Sequence, residues 1–319
     1  MRLYNDYNSY LREKYGCKVY RIGLDAGFSC PNRDGTKGFG GCIYCNEEGS
    51  RASYADPALS VAEQLRSRIK KLREKNGPKK YIAYFQAFTN TYAPAKELRP
   101  IYDQAASNDV VGISIGTRPD AIDLAKLELI ASYKDRYEVW IEYGLQSAHD
   151  KTLLALQRGH TFADFANAVH LTKRFGISVC GHVILGLPGE TAAEMMETAD
   201  KLSELKVDGV KIHLLHILKG SRLEQLYAGG KIRLPEQDEY VELVCDFLER
   251  LSPDIVIQRL TGEGTREKHV APLWALDKLG TIKKIEETLK KRGSRQGTSF
   301  EAAFNPKIKI QRSKLHIKT

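Results

Sequence analysis

The chain has 319 residues, which is enough to bury one large core or the cores of two small domains. Its 42% hydrophobic and 28% charged residues are those of a globular protein, which excludes fibrous and intrinsically disordered classes. No apolar run approaches the length of a membrane span and the first residues lack a signal-peptide pattern, so we expect a cytoplasmic protein without membrane contact.

Short runs rich in β-branched and aromatic residues alternate with longer amphipathic stretches, a pattern typical of βα units around a parallel sheet. The predicted strands span residues 18–24, 81–87, 111–116, 139–145, 178–187, 209–216 and 254–260. The predicted helices span 60–75, 97–107, 120–133, 161–175, 190–206, 236–251 and 277–292. Ser60 stands three residues before Glu63, a capping-box pattern that indicates a helix start. Seven strands of this kind favour a complete or partial barrel over an open three-layer sheet.

The end of the chain is strongly basic. Residues 283–319 contain eleven Lys or Arg and three Glu, so a net charge of +8 out of the formal +9 lies there. We divide the chain into an N-terminal segment, 1–16, a barrel, 17–270, and a C-terminal helix with a basic tail, 271–319. Clustered cations are typical of contacts with phosphate backbones, and a solvated helix with a loose terminus is an equal alternative.

Three of the six cysteines, Cys30, Cys42 and Cys45, lie in one glycine-rich loop after the first predicted strand. Barrel enzymes build their active sites at the carboxyl ends of the strands, and glycine lets such a loop fold tightly around a metal centre. Three thiolates suit an iron–sulfur cluster with one open iron, whereas a structural zinc site normally uses four ligands. Cys17 remains a candidate fourth ligand, so cluster, zinc and redox functions all stay open. Cys180 and Cys245 are predicted to be core residues.

Polar side chains also recur at the predicted strands. Arg118 and Lys211 lie at or near strand ends together with other cations, which predicts a positive mouth that suits an anionic substrate. We add His213 to these substrate contacts, with a core histidine as the alternative. Glu142 and Gln146 share one parity on the fourth strand, which in a barrel can face the interior. A buried salt bridge from Glu142 to Arg118 is the alternative to a ligand contact.

The cysteine loop resembles that of the radical S-adenosylmethionine (SAM) superfamily. Residues 30–36 read Cys-Pro-Asn-Arg-Asp-Gly-Thr and residues 40–45 read Gly-Gly-Cys-Ile-Tyr-Cys, as in a bacterial group of that superfamily that is similar to the catalytic domain of the Elongator Elp-three family. The resemblance covers about residues 15–280. Five later segments match it: 84–87, Tyr-Phe-Gln-Ala; 116–120, Gly-Thr-Arg-Pro-Asp; 144–150, Gly-Leu-Gln-Ser-Ala-His-Asp; 158–160, Arg-Gly-His; and 186–190, Gly-Leu-Pro-Gly-Glu.

The resemblance implies an α/β fold, a partial (β/α)6-type TIM-like barrel of the radical SAM kind with a C-terminal helical extension. It implies that Cys30, Cys42 and Cys45 are the catalytic metal ligands of a [4Fe–4S] cluster, and that SAM binds the fourth iron and yields a 5′-deoxyadenosyl radical. A reductant such as flavodoxin or ferredoxin would be the partner. The SAM contacts that it implies are Tyr44, Thr89, Asn90, Glu142, Gln146, Ser147 and Ile184.

Three functions fit these features. The first is a radical SAM enzyme that modifies tRNA at the wobble uridine, as the Elongator relative does. The second is a radical SAM enzyme that acts on a small anionic metabolite, as the porphyrinogen-oxidising relatives do. The third is a non-catalytic protein that binds zinc or a cluster. The five matched strand ends disfavour the third, since a binding module does not need a SAM cradle.

Overall fold

The computed structural model describes residues 2–77, 79–262 and 266–300. The strands within these residues are β1 (Val19–Leu24), β2 (Lys80–Phe85), β3 (Val110–Thr117), β4 (Glu138–Gln146), β5 (Ser178–Leu185), β6 (Gly209–Leu214), β7 (Ile217–Leu218), β8 (Val256–Arg259) and β9 (His269–Ala271). The helices are α1 (Tyr7–Tyr15), α2 (Val61–Asn76), α3 (Ala95–Asp103), α4 (Leu124–Ala131), α5 (Asp150–Ala155), α6 (Phe162–Arg174), α7 (Ala192–Glu204), α8 (Arg222–Ala228), α9 (Gln237–Arg250) and α10 (Lys278–Arg292).

Seven parallel strands pair in the order β1-β2-β3-β4-β5-β6-β8 and curve into a partial barrel, while β7 and β9 form a separate antiparallel pair. The predicted fold class is confirmed. All seven predicted strands are present, because their near-continuous apolar residues suit strands that are covered on both faces. The capping box of Ser60 and Glu63 begins α2, as the sequence predicts.

The elements that the sequence did not predict are short. They are α1, α5, α8, β7 and β9, and each has fewer than ten residues. The apolar stripe of α1 consists of Tyr7 and Leu11, flanked by further tyrosines, so its periodicity is weak in the sequence. Such elements depend on tertiary contacts rather than on local pattern.

Alternate strand residues point into the barrel, and the lowest layer of these residues is apolar. At the amino ends of the strands, side chains of the barrel pack against α1: Val19, Ile82, Trp140, Cys180 and Val256 contact Tyr7 and Leu11. The chain just before α1 also pairs with the edge strand β8, where the amide of Ile257 donates to the carbonyl of Asn5 over 2.8 Å. The N-terminal helix therefore closes the bottom of the barrel and covers a sheet edge.

The C-terminal part of the described chain packs on the outside of the barrel. Helix α10 lies against α9, close to the predicted range of 277–292, and ends at Gly293 in a left-handed conformation. Most of the predicted basic tail, residues 301–319, lies outside the described residues. No helix in the described part of the chain is both long and apolar enough to cross a membrane.

Candidate active site

The cysteine loop follows β1 and lies at the carboxyl ends of the barrel strands. The side-chain amide of Asn32 holds it by donating to the carbonyls of Gln157 and Arg158 over 2.6 and 2.9 Å. Between the loop and this segment, Gly159 has a φ of 67°, and a Cβ there would lie 2.6 Å from Asn32 Oδ1. The Arg-Gly-His segment therefore fixes the loop, which explains why glycine is needed at its centre.

Two of the three loop sulfurs accept hydrogen bonds from guanidinium groups. Arg158 Nη1 lies 3.3 Å from the sulfur of Cys42, and Arg33 Nη2 lies 3.2 Å from that of Cys45. Burial raises the pKa of Cys42, but the Arg158 guanidinium outweighs this effect and holds the pKa below its ordinary value. Burial raises the pKa of Cys45 more than Arg33 lowers it. Both arginines favour the thiolate, the form that binds metal.

The donor set fits an iron–sulfur cluster. All six cysteines are free, and the charges of Cys42 and Cys30 both raise the pKa of Cys45, which shows that the three thiols are neighbours. Among the residues described by the structure, no three His, Cys, Asp or Glu side chains converge on a single-ion site. A cluster does not need such convergence, because each thiolate binds a different iron. Cys17 precedes β1 and the loop follows it, so the strand separates Cys17 from the other three.

A cavity of about 1290 Å³ lies next to this loop, and its lining extends from the loop to Tyr7 and Asn8 at the start of α1. Its walls include predicted site residues from the loop and from three strands: Tyr44, Cys45, Gln146, Ile184, Lys211 and His213. Gly144 has no side chain that could fill this space, since a Cβ there would lie 2.8 Å from Gln146 Nε2 and 2.9 Å from Arg158 Nη2. The cavity therefore lies directly beside Cys45.

The floor of the cavity is a polar layer to which each of the seven barrel strands contributes one side chain. We call these residues the polar layer: Arg21, Tyr84, Ser114, Glu142, His182, Lys211 and Gln258. Glu142 is at its centre and is 1% exposed. It forms ion pairs with Arg21 and Lys211, and the carboxylate lies 2.8 Å from His182 Nε2.

The charges of the polar layer shift each other's protonation. Burial would raise the pKa of Glu142, but Arg21 and Lys211 hold it well below its ordinary value. Burial, followed by the charge of Arg21, lowers the pKa of Lys211 to about 7. Burial and Lys211 also lower the pKa of His182 to about 4, so this imidazole is neutral at pH 7.

Besides Cys30, Cys42 and Glu142, four predicted site residues lie outside the cavity lining. Asn90 donates to the carbonyls of Ala87 and Gly116, and the preceding Thr89 donates its amide to Ser29, so both hold the turn after β2. Ser147 donates to Glu190. Arg118 is buried and pairs with Asp120 over 2.8 Å.

The alternative salt bridge from Glu142 to Arg118 is therefore wrong. Arg118 follows β3 and forms a bidentate ion pair with the Asp120 carboxylate, to which its Nε and Nη2 both donate. Glu142 lies lower in the barrel, where Arg21 and Lys211 reach it from the inward-facing positions of β1 and β6.

The sequence analysis missed the arginines that contact the thiols and most of the polar layer. Arg33 and Arg158 lie in segments that resemble the family. An arginine at those positions does not by itself indicate a contact with sulfur. Arg21, Tyr84 and Gln258 occupy inward-facing positions of strands, so strand parity could have identified them. Cys180 and Cys245 are fully buried, as predicted.

A parallel partial barrel with a three-cysteine loop at its carboxyl ends is typical of barrel enzymes that bind an iron–sulfur cluster. The model of the Radical SAM superfamily matches residues 32–202, and that of the Radical SAM C-terminal domain matches residues 207–291. The chain therefore belongs to the radical SAM superfamily. It is a radical SAM enzyme, and its cofactors are a [4Fe–4S] cluster and SAM, which confirms both predictions and removes the non-catalytic alternative.

Relatives support this assignment. The chain is 42% identical over 299 residues to the uncharacterized protein YtqA of Bacillus subtilis, with 93% of each chain covered. It is 25% identical over 179 residues to the tRNA uridine(34) acetyltransferase of Dehalococcoides mccartyi, which covers 55% of this chain and 38% of that protein. The fold is similar to that of Elp3 from the archaeon Methanocaldococcus infernus, with a TM-score of 0.66, 16% identity, and coverage of 87% of this chain and 64% of that chain. The Elongator-like resemblance is thus confirmed at this lower level of similarity.

Proposed function

We propose that this radical SAM enzyme modifies a tRNA base, and that the base is the wobble uridine. The observation that carries the proposal is the cavity of about 1290 Å³. Pockets for one small molecule are commonly 300–1,000 Å³, so this cavity has room for a nucleoside beside SAM. Enzymes that act on a base in structured nucleic acid turn it out of its stack into such a pocket. The similarity to a tRNA uridine(34) acetyltransferase supports the choice of uridine.

The outer wall of the cavity suits a nucleic acid. Cations predominate there, and the cationic residues come from three separate parts of the chain: Arg2, Lys268, Lys278 and Lys290. Asp6, Glu48 and Glu286 are the acidic residues of the cavity lining, and Glu48 pairs with Lys268. A phosphate backbone gains affinity from such a cationic rim by releasing condensed counterions.

We assign the cofactor roles from the loop outward. Cys30, Cys42 and Cys45 would hold three irons of the cluster and leave one iron for SAM. The cluster and SAM supply the radical that abstracts hydrogen from the substrate. Tyr44, Gln146 and Ile184 form the wall that orients SAM, and Glu142 holds the floor beneath it. Thr89, Asn90 and Ser147 contribute by fixing the turns after β2 and β4, Thr89 through its backbone amide and the other two through their side chains.

Side chains deep in the cavity are the proposed contacts with the substrate. Lys211 and His213 line it from consecutive inward positions of β6, and we assign them to the substrate. Arg118 shapes the site through its pair with Asp120 rather than by direct contact. The electron reaches the cluster from a small reductant protein such as flavodoxin or ferredoxin.

The direct test compares tRNA nucleosides by mass spectrometry in cells with and without the gene. We expect one wobble-uridine derivative to disappear and its precursor to accumulate in the deletion strain. Restoring the wild-type gene should restore the nucleoside, and a Cys42→Ala gene should not. Identical nucleoside profiles in both strains would reject the tRNA proposal.

Charge reversal on α10 tests whether the cationic rim binds tRNA. Lys290→Glu changes a residue of the cavity wall, whereas Lys283→Glu makes the same change on the same helix at a position that does not line the cavity. We expect Lys290→Glu to weaken tRNA binding and to flatten its dependence on salt, because one phosphate contact is lost. Equal effects of the two variants, measured by filter binding across a salt series, would remove the rim from the proposal.

A small anionic metabolite is the second candidate substrate, and the composition of the cavity floor favours it. Three nitrogen donors there have no hydrogen-bond partner among the described residues: Arg21 Nε, Gln258 Nε2 and His213 Nε2. Lys211 adds a buried cation beside them. If RNase-treated cell extract stimulates 5′-deoxyadenosine formation as well as untreated extract does, the metabolite becomes the substrate class.

A further inference from the structure

The three loop thiols differ in what surrounds their sulfur atoms. Cys42 accepts from Arg158 Nη1 at 3.3 Å and from Asn32 Nδ2 at 3.5 Å. Cys45 accepts from Arg33 Nη2 at 3.2 Å. In the described part of the chain, no side chain donates to the sulfur of Cys30. The cationic contacts are thus directed at two of the three sulfurs.

Arg158 is held in this position by the protein and not by its contact with sulfur alone. It is 7% exposed, its Nη2 donates to the carbonyl of Gly144 over 2.6 Å, and its Nε lies 3.1 Å from His160 Nε2. Burial and Arg158 lower the pKa of His160 to about 3, so the imidazole is neutral and accepts from the guanidinium. Within the described residues, no carboxylate pairs with Arg158, although it is a buried cation.

A buried cation without a carboxylate partner is costly unless other negative charge compensates it. Thiolates are the negative groups that Arg158 contacts, since its Nη1 lies 3.3 Å from the sulfur of Cys42. A cluster bound by these thiolates gains one negative charge when it is reduced. The guanidinium therefore interacts more strongly with the reduced cluster than with the oxidised one.

We propose that Arg158, assisted by Arg33, is a positioning residue that raises the reduction potential of the cluster by donating charged N–H groups to the ligand sulfurs. The proposal rests on the assignment of Cys30, Cys42 and Cys45 as ligands. The step concerned is the transfer of one electron from the reductant to [4Fe–4S]²⁺, which gives [4Fe–4S]⁺. No bond forms or breaks, and no proton moves.

The test is a redox titration of the anaerobically reconstituted protein, followed by electron paramagnetic resonance (EPR) without SAM. Arg158→Met removes the charge and the donor, and we expect the equilibrium constant for reduction to fall at least tenfold, a shift of about 59 mV to more negative potential. Arg158→Lys keeps the charge near the sulfur and should recover most of the wild-type potential. Arg250→Met removes an exposed arginine that pairs with Asp200 on the outer helices and should leave the potential unchanged.

Iron and sulfide content distinguishes a failure of the cysteine ligand assignment from a failure of the proposal for Arg158. If Cys42→Ala still binds a full cluster, the ligand assignment fails, whatever the potentials show. If the ligands hold but Arg158→Met keeps the wild-type potential and weakens only SAM binding, Arg158 is a SAM contact and the proposal is overturned. Should Arg158→Met fail to hold a cluster, Arg33→Met makes the same test at Cys45, with a smaller negative shift expected because Arg33 is less buried. An unchanged potential in that variant would likewise overturn the proposal.

Discussion

The cysteine loop and the polar layer face the same cavity, but they are built in opposite ways. The loop is one continuous stretch, residues 30–45, that is held from outside by the segment around Gly159. The polar layer takes one residue from each of seven strands and exists only when the whole barrel has formed. A change in the loop should therefore affect chemistry first, whereas a change in the polar layer should affect folding first.

The largest expected effect is the loss of a loop thiol. Cys42→Ala should abolish cluster binding and SAM cleavage, because the cluster then lacks one iron ligand. The barrel should remain folded, since the loop lies at the ends of the strands. Iron content and 5′-deoxyadenosine formation measure the first effect, and circular dichroism measures the second. Cys245→Ala is the matched control, because it removes a fully buried thiol between α9 and α10 and should leave cluster and activity intact.

In the polar layer we expect a loss of stability rather than a direct loss of the cluster. Glu142→Ala leaves Arg21 and Lys211 buried without their carboxylate, which we expect to cost about 3–5 kcal/mol of unfolding free energy. Urea unfolding under anaerobic conditions measures this loss. Glu204→Ala breaks an exposed pair with Lys201 and should change stability little. A Glu142→Ala protein as stable as the Glu204→Ala control would contradict the central role of this carboxylate.

The contact between Gly159 and Asn32 anchors the loop to the barrel, and its loss should lower both stability and cluster content, each by a smaller amount. Gly159→Ala places a Cβ at 2.6 Å from Asn32 Oδ1 in a left-handed conformation, whereas Gly293→Ala meets a left-handed conformation with nothing within 4 Å. The conformation alone costs about 1–2 kcal/mol in both variants. Only Gly159→Ala should lose cluster as well, measured as iron per chain after reconstitution. Equal iron content in the two variants would show that the contact with Asn32 does not fix the loop.

The smallest effect, when compared over a single pH unit, is a pH dependence of stability from Lys211. Its pKa is about 7 in the folded protein and about 10.5 when unfolded, so the unfolded chain binds more protons between these values. Stability should therefore rise with pH across this window, by at most about 1.4 kcal/mol per pH unit. Lys211→Met should lack this contribution. The measurement is urea unfolding at several pH values, and parallel curves for both proteins would contradict the shift.

The contrast between the two regions also explains what could be predicted from the sequence. The seven strands were predictable because each is a continuous apolar run, and the place of the cysteine loop followed from its position directly after the first strand. Lys211 and Glu142 were noticed one at a time, but their pairing required the register of β4 and β6. The contact between Arg158 and Cys42 joins residues 116 positions apart and has no local pattern, so only the folded chain shows it.

A different limit applies to the predictions that Thr89 and Asn90 contact SAM and that Arg118 contacts the substrate. Each lies at a strand end, as the sequence indicated, but the side chains of Asn90 and Arg118 are bonded to the protein itself. Sequence position predicts which end of the barrel a residue occupies. It does not predict which way a side chain points when backbone carbonyls, as at Asn90, or a carboxylate, as at Arg118, compete for it.

The account depends on three loop thiolates that leave one iron of the cluster open. The most direct measurement is the EPR spectrum of the reduced, reconstituted protein before and after SAM is added. We predict that the g-values change on addition of SAM, and that Cys17→Ala behaves as the wild type does. A spectrum that SAM leaves unchanged, together with loss of the cluster in Cys17→Ala, would show a fourth protein ligand and contradict the account.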